Sequence, residues 1–143
     1  MGLTLSQSEY RALSDFRYQI RRFLRFSEEA AVAEGLEPQH HQMLLAIEGL
    51  DDPEGPTVGR LAEYLMIRHH SAVGLIDRLE ARGLVERVRG EDDRRTVRVR
   101  IAAEGIDKLK RLSDLHREEL RQSGPALVSA LGRILENREG PAA

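Results

Sequence analysis

A chain of 143 residues with 41% hydrophobic and 32% charged residues is long enough for one domain with its own apolar core. The absence of cysteine excludes disulfide bonds, thiolate metal sites and cysteine-based redox chemistry. No apolar run approaches the ~20 residues of a membrane-spanning helix, and the first ten residues lack the apolar core of a signal peptide, so we expect a cytoplasmic protein with no membrane partner.

The net charge of −2 hides an uneven distribution of charge along the chain. The first 56 residues carry 5 basic and 10 acidic side chains, whereas residues 57–101 carry 10 arginines and 7 acids. The guanidinium group of arginine donates paired hydrogen bonds to guanine edges and to phosphates. The basic middle segment therefore indicates a surface that binds nucleic acid. A solvated charged face is the alternative interpretation of the same pattern.

Apolar residues at helical spacing predict four helices in the first 82 residues. The first covers Ser6–Ala33, and the second covers Pro38–Glu48 with proline at its first position. Thr57 is suited to cap a short third helix, and the fourth covers approximately Arg68–Arg82, with Gly83 at the expected C-terminal cap. Two short helices joined by a tight turn form a helix-turn-helix. In the second of these helices four apolar residues share the inner face: Ala72, Leu75, Ile76 and Leu79.

The hydrophobic period changes from 3.6 to 2 after the fourth helix. Val85–Arg89 and Thr96–Ile101 are predicted strands, and the polar residues 90–95 between them form the tip of a hairpin. In the second strand Arg98 and Arg100 lie opposite the apolar face, where we interpret them as exposed charges rather than phosphate contacts. The apolar face of that strand consists of Val97, Val99 and Ile101.

Helical periodicity returns at about Ala103 and continues to about Leu135, before the tail GPAA. Gly124-Pro125 is expected to end this long helix and to separate it from a last one, because proline interrupts a helix interior. The order of elements therefore predicts a mainly α fold with a small β-hairpin wing, the α+β plan of a winged helix-turn-helix.

Three segments of the chain resemble the MarR family of winged helix-turn-helix transcriptional regulators. They are LAEYL at 61–65, LIDRLEARGLVER at 75–87 and GEDDRRTVRVRIAAEG at 90–105. The resemblance extends over nearly the whole chain. It implies a homodimer that binds double-stranded DNA at a pseudo-palindromic operator, as a repressor controlled by a small-molecule effector such as an aromatic acid.

The resemblance also implies how the chain is divided. Residues 1–143 are expected to form a single MarR-type domain. Within it, residues 57–101 form the winged helix-turn-helix lobe that binds DNA. Both termini, residues 6–56 and 103–139, form a helical dimerisation and support region.

By the same resemblance, the fourth helix lies in the major groove and the hairpin reaches the neighbouring minor groove. The residues expected to contact DNA are Arg68, His69, His70, Ser71 and Val73 of the helix, and Arg94 and Arg95 of the wing tip. Asp93 and Arg78 match a pair that orients the wing in the family. This chain departs from the family pattern at three places. Arg68 stands where a Ser or Thr cap is usual, Gly74 stands where an arginine often contacts DNA, and Ile101-Ala102 stands where LT usually closes the second wing strand.

The five histidines raise a metal-binding alternative. Adjacent histidines on a helix point about 100° apart, so neither His40-His41 nor His69-His70 chelates a metal by itself. A zinc site needs one of the first pair to meet His116 and a carboxylate such as Glu28, Glu29 or Glu119. We expect no metal and no cofactor, and a zinc-sensing regulator is the alternative.

The sequence contains no phosphate-binding glycine loop, nucleophile elbow or HExxH motif. The adjacent carboxylates Asp92 and Asp93 fall on a solvated loop rather than in a pocket suited to acid–base catalysis. We therefore predict a DNA-binding regulator and not an enzyme. The alternative from another class is a winged-helix adaptor that docks a partner protein, which would show little affinity for DNA at any salt concentration.

Overall fold

Helices dominate the structure, and a short hairpin interrupts them. The computed structural model describes residues 4–89 and 95–136. In chain order its elements are α1 (Gln7–Ala33), α2 (Pro38–Gly49), α3 (Val58–Leu65), α4 (His69–Ala81), β1 (Val85–Arg89), β2 (Val97–Ile101) and α5 (Ala103–Glu136). The predicted fold class is confirmed, because the described residues are mainly helical and carry an antiparallel two-stranded wing.

The elements are divided between two compact units. Residues 30–113 form the winged-helix unit, which holds the end of α1, the helices α2–α4, the hairpin and the start of α5. The described part of the terminal-helix unit consists of residues 4–29 and 114–136. Among the described residues, no helix is long and apolar enough to cross a membrane.

The helices α3 and α4 form the predicted helix-turn-helix. The Thr57 hydroxyl accepts a hydrogen bond from the Arg60 backbone N–H at 3.1 Å, so Thr57 caps α3 as expected. Gly83 has a φ of 74°, in the left-handed region, and the Leu84 N–H bonds to the Leu79 carbonyl at 3.0 Å. This cap ends α4 and turns the chain into the wing. The residues predicted to form the inner face of α4 are all buried: Ala72, Leu75, Ile76 and Leu79.

The turn between α3 and α4 contains a strained residue. Met66 has φ 55° and ψ 43°, a left-handed conformation in which the Cβ crowds the following carbonyl oxygen. The turn is closed by a 3.0 Å hydrogen bond from the Ile67 N–H to the Ala62 carbonyl. The Met66 side chain is 91% exposed, so packing does little to offset the strain.

The wing is attached to the rest of its unit along β2. The two strands are antiparallel, with Val85 opposite Ile101, and β2 begins one residue later than predicted. Val99 is fully buried, and its N–H donates to the Pro56 carbonyl at 2.9 Å. The connection between α2 and α3 therefore lies beside β2 and fixes the base of the wing.

The first turn of α5 packs closely against the junction of α4 and β1. The Ala102 N–H donates to the Leu84 carbonyl at 2.9 Å. A Cβ on Gly105 would collide with that same carbonyl, so only glycine fits there. The last glycine of the segment GEDDRRTVRVRIAAEG is thus explained by packing rather than by contact with DNA.

The predicted break at Gly124-Pro125 is wrong, because α5 continues as one helix to Glu136. Proline costs a helix interior about 3 kcal/mol, through its missing N–H and its contact with the preceding turn. Apolar residues at helical spacing continue on both sides of Pro125, so the packed face of the helix outweighs this local cost. Just before the proline, the Ser123 hydroxyl donates to the Glu119 carbonyl at 2.9 Å.

The terminal-helix unit combines polar contacts between its helices with a large exposed apolar surface. Arg133 pairs with Asp15 at 3.1 Å, and His116 Nε2 lies 2.8 Å from the Ser27 hydroxyl. Ten large apolar side chains of this unit are between 39% and 69% exposed: Leu5, Tyr10, Leu13, Tyr18, Leu24, Leu115, Leu120, Val128, Leu131 and Leu135. A single chain thus leaves much of the apolar face of α1 and α5 in contact with water.

Replacing Met66 by glycine removes backbone strain without removing a packed side chain. We expect Met66→Gly to raise the free energy of unfolding by about 0.5–1 kcal/mol, since relief of the left-handed conformation exceeds the extra chain entropy of glycine in the unfolded state. Urea denaturation measures this as a higher midpoint at unchanged slope. Met66→Ala is the matched control, because alanine keeps a Cβ in the same conformation. If Met66→Gly and Met66→Ala had the same free energy of unfolding, the conclusion that the backbone at Met66 is strained would be wrong.

Candidate nucleic-acid interface

Most of the α4 residues predicted to contact DNA are open to solvent. Val73 is half-buried, and the other four are exposed: Arg68, His69, His70 and Ser71. They occupy the N-terminal turn of α4 and its immediate approach, away from the buried face of the helix. This end of the helix is therefore accessible to a partner.

The N-terminus of α4 has no side-chain cap. Arg68 occupies the N-cap position with φ −69° and ψ 151°, and its side chain makes no capping hydrogen bond. In α3, by contrast, Thr57 satisfies the corresponding N–H group. The first N–H groups of α4 therefore remain available at the positive end of the helix dipole, an arrangement that suits a phosphate oxygen.

Arg78 supplies positive charge next to Gly74, the position where the resemblance to the MarR family leads to the expectation of an arginine. A Cβ on Gly74 would lie 3.6 Å from Nη1 of Arg78, so the guanidinium extends back beside the space that a side chain at position 74 would occupy. Both residues lie on the solvent side of α4, since neither belongs to its buried face. The predicted partner of Arg78, Asp93, lies outside the described residues.

Arg87 of β1 holds the wing against α4, a contact that was not predicted from the sequence. Its Nη2 lies 2.6 Å from Asp77 Oδ1, its Nη1 lies 2.7 Å from Glu80 Oε1, and its backbone N–H donates to Glu80 Oε2 at 3.0 Å. Asp77 and Glu80 are three residues apart and so project from the same side of α4. We call this group of three side chains the wing clamp. Its signal in the sequence is an acidic pair at helical spacing, followed by an arginine just beyond the glycine turn.

The wing clamp also changes the electrostatics of α4. Hydrogen bonds from Arg87, first from its backbone N–H and then from its side chain, hold the pKa of the Glu80 carboxyl below its ordinary value, although partial burial acts in the opposite direction. The ionised carboxylate therefore stabilises the fold at neutral pH. This contribution is present above the ordinary carboxyl pKa and is lost as the pH falls through the lowered value.

Arg98 and Arg100 bind protein groups at the base of the wing. Arg98 lies 3.3 Å from the carboxylates of Asp52 and Glu54, and its side chain is only 22% exposed. Arg100 donates to the carbonyls of Pro53 and Glu54 at 3.3 and 3.4 Å. Both arginines thus attach β2 to the loop before α3, a role distinct from the free surface charge expected from the sequence.

Arginines stand on both sides of the hairpin tip. Arg89 at the end of β1 and Arg95 shortly before β2 are exposed. They flank residues 90–94, which lie outside the described residues and include the predicted Asp93 and Arg94. This placement of positive charge suits contact with a phosphate backbone or a narrow minor groove.

The histidines occupy different environments. His69 and His70 are exposed, whereas His40 and His41 are each 4% exposed in α2. His116 packs edge-on against two phenylalanine rings. Across residues 4–89 and 95–136, no three histidine, aspartate or glutamate side chains are grouped so as to hold a metal ion.

A model of the MarR family matches residues 34–96, which contain α2–α4 and the first strand of the wing. The chain is also 40% identical over 76 residues to the transcriptional activatory protein BadR of Rhodopseudomonas palustris. That alignment covers 53% of this chain and 43% of the relative, so the chain matches less than half of the length of that protein.

Solved MarR family structures have a similar fold. The structure of AbsC, a MarR family transcriptional regulator from Streptomyces coelicolor, matches with a TM-score of 0.73 and 20% identity. This match covers 98% of the present chain and 100% of the AbsC chain. A mutant of MarR from E. coli, solved in complex with operator DNA, matches with a TM-score of 0.65 and 21% identity. This match covers 87% of the present chain and 90% of the MarR mutant chain. At these identities the similarity concerns the fold.

The wing clamp predicts energetic coupling between Arg87 and Glu80. We expect Arg87→Gln to lower the free energy of unfolding by about 1 kcal/mol at pH 7, a modest value because the clamp is partly exposed and screened by solvent. Glu80→Gln and the double variant complete a double-mutant cycle. Urea denaturation of the four proteins should give a coupling free energy between Arg87 and Glu80 of about 0.5–1 kcal/mol. The coupling should vanish in acid, when Glu80 is protonated.

Arg60→Gln is the matched control for this cycle, because Arg60 is an exposed arginine on α3. It should leave the free energy of unfolding within about 0.5 kcal/mol of the unmodified protein. Strictly additive effects of Arg87→Gln and Glu80→Gln at pH 7 would contradict the clamp.

Proposed function

We propose that this chain is a MarR family transcriptional regulator, and that it acts as a ligand-responsive repressor that binds a pseudo-palindromic operator as a homodimer. The family model that matches residues 34–96 and the similar fold of solved MarR family structures support this proposal. The observation that carries the proposal is the open N-terminal turn of α4 beside a wing held in place by Arg87. Operator binding is the part of the proposal that repressors share with activators.

The major groove is the proposed site of α4. Side chains of its first turn supply donors for base edges and phosphates, and Val73 is suited to meet a thymine methyl group. The uncapped N–H groups of the same turn suit a phosphate oxygen. The donors come from Arg68, His69, His70 and Ser71.

The neighbouring minor groove is the proposed site of the wing. Arg95 brings positive charge to this groove, where A·T-rich sequence strengthens the negative potential. Arg94 is proposed to contact DNA beside it. Asp93 and Arg78 are proposed to orient the hairpin tip, in addition to the wing clamp at its base.

Homodimerisation is proposed to occur through the terminal helices. Leu13 is 43% exposed on α1, and Leu131 and Leu135 are 40% and 57% exposed on α5. A second copy covers such a surface through a two-fold contact, in which the same patch serves both partners. Two lobes related by that axis meet half-sites about one helical turn, roughly 34 Å, apart.

A small-molecule effector, such as an aromatic acid, is proposed to control operator affinity. It shifts the population only by binding one arrangement of the two lobes more tightly than the other. A panel of aromatic acids and metal ions tests this step through the change in operator affinity. If no compound changes that affinity, the protein is a constitutive regulator and this step is wrong.

Assembly is tested by placing a charge in the exposed apolar surface of α5. We expect the unmodified protein to sediment as a dimer at micromolar concentration and Leu131→Glu to shift it towards monomer, because the interface would bury an unpaired carboxylate. Leu45→Glu is the matched control, since Leu45 is 50% exposed on α2 and lies outside the terminal helices. A monomeric unmodified protein would rule out the proposed assembly.

Docking is tested at the wing, with an operator selected from a library of random DNA. We expect Arg95→Ala to weaken operator binding by roughly 1–3 kcal/mol per site and to reduce the dependence of affinity on salt, because fewer counterions are released. Fluorescence anisotropy at several salt concentrations measures both. Arg117→Ala, at an exposed position of α5, is the control and should change neither. The docking proposal fails if Arg95→Ala binds normally while Arg117→Ala does not.

A further inference from the structure

Methionine supplies all the sulfur atoms of this chain. The sequence contains no cysteine and three methionines, at positions 1, 43 and 66. The structure describes the last two, and their surroundings differ: Met43 is fully buried in α2, whereas Met66 is 91% exposed. An oxidant must reach the thioether sulfur in order to react with it, so Met66 is open to oxidation and Met43 is protected.

Met66 begins the turn that joins α3 to α4. Its N–H donates to the Glu63 carbonyl at 3.1 Å, and the Ile67 N–H donates to the Ala62 carbonyl at 3.0 Å. Hydrogen bonds thus hold the backbone of the turn, while the exposed side chain has little packing to lose. A polar change at the sulfur therefore alters the surface beside α4 without burying an unpaired polar group in the core.

The exposed thioether stands directly before the front of α4. Only Ile67 separates Met66 from Arg68, which is the N-cap residue of α4 and the first residue proposed to contact DNA. The N–H groups in the first turn of α4 lack a side-chain cap and suit a phosphate oxygen. An oxygen atom added at Met66 therefore enters the region that is proposed to receive the DNA backbone.

We propose that Met66 is a site of reversible oxidation by peroxides and that its sulfoxide weakens the binding of DNA. With hydrogen peroxide, the thioether sulfur attacks one peroxide oxygen, so that an S–O bond forms as the O–O bond breaks. The sulfur is oxidised by two electrons, and the other oxygen leaves as hydroxide, which takes the remaining proton and becomes water. Methionine sulfoxide reductase, with a thiol as the reductant, reverses the reaction.

The regulatory step rests on the proposed function. A thioether is a weak hydrogen-bond acceptor, whereas the oxygen of a sulfoxide is polar and carries partial negative charge. Beside the DNA backbone this oxygen repels phosphate oxygens and competes with them for the uncapped N–H groups of α4. Operator affinity therefore falls when Met66 is oxidised. Conversely, bound operator covers the turn and slows the oxidation.

Mass spectrometry of tryptic peptides, after treatment of the full chain with hydrogen peroxide, tests the modification site. Trypsin places Met43 in residues 26–60 and Met66 in residues 61–68, so the two oxidations are measured separately. We expect the peptide 61–68 to gain an oxygen atom well before the peptide 26–60 does. The urea unfolding midpoint should not change, since no packed group is altered. Oxidation of Met43 as fast as that of Met66 would overturn the assignment.

Fluorescence anisotropy with the selected operator tests the regulatory step. The oxidised protein should bind the operator about three- to tenfold more weakly than the untreated protein, the size expected for the change of a polar contact. Methionine sulfoxide reductase with a thiol should restore the affinity. Saturating operator should slow the oxidation of Met66 severalfold. Unchanged operator affinity after complete oxidation of Met66 would refute the regulatory step.

Met66→Leu is the matched control, because leucine is apolar, similar in size to methionine and free of sulfur. Its operator affinity should equal that of the unmodified protein and should not change on peroxide treatment. Met66→Gln carries a polar carbonyl on a side chain of similar length, so it should bind the operator more weakly without any oxidant. If peroxide weakens operator binding by Met66→Leu as much as by the unmodified protein, another residue is responsible and the proposal is wrong.

The outcomes for this inference and for the proposed function are distinguishable. If the chain binds no operator, the proposed function fails and the regulatory step fails with it, while mass spectrometry still decides whether Met66 is the oxidation site. If the chain binds its operator but Met66 resists peroxide in the free protein, the modification site fails alone.

Discussion

The backbone around Leu84 is the constraint on which the winged-helix unit depends. Leu84 is 1% exposed, its N–H closes the end of α4, and its carbonyl accepts the bond from Ala102 that starts α5. Gly105 allows α5 to approach that carbonyl. The end of the helix-turn-helix, the start of the wing and the start of α5 therefore meet at one residue. The direction in which β1 leaves α4 is set by backbone hydrogen bonds, and the wing clamp secures it three residues later.

The helices and strands were predictable because local chemistry marks their ends. Pro38, Thr57 and Gly83 each stand where backbone conformation or an unsatisfied N–H favours that residue, and the structure uses all three as expected. The same kind of rule failed at Pro125. Proline is unfavourable in a helix interior, but its cost is local, whereas the apolar face that stabilises α5 extends over many turns.

The candidate site was predictable only in part, for a related reason. The exposed front of α4 follows from helical periodicity once the inner face is known. The contacts of Arg87 and Arg98 join residues that are 7 to 46 positions apart, and packing rather than any repeating pattern brings them together. The burial of His40 also escapes periodicity, because α2 is covered on several sides and its buried residues include two adjacent histidines. The pair of Arg78 and Asp93 stays a prediction.

The basic segment therefore contains arginines with different tasks. Arg87, Arg98 and Arg100 bind carboxylates or carbonyls of their own unit and fix the wing. Arg68 and Arg78 lie on the solvent side of α4. A count of arginines thus overstates the charge available to a partner, because part of that charge is already balanced inside the unit.

The proline within α5 has a consequence for local stability along that helix. Because Pro125 has no N–H, the carbonyl of Arg121 lacks its usual helical donor. Amide protons exchange with solvent through local openings, and an opening costs least where a hydrogen bond is already missing. The segment 126–136 can therefore unwind and exchange its amide protons without the first turns of α5 opening. The helix is continuous in shape, and we expect its protection from exchange to fall beyond the proline.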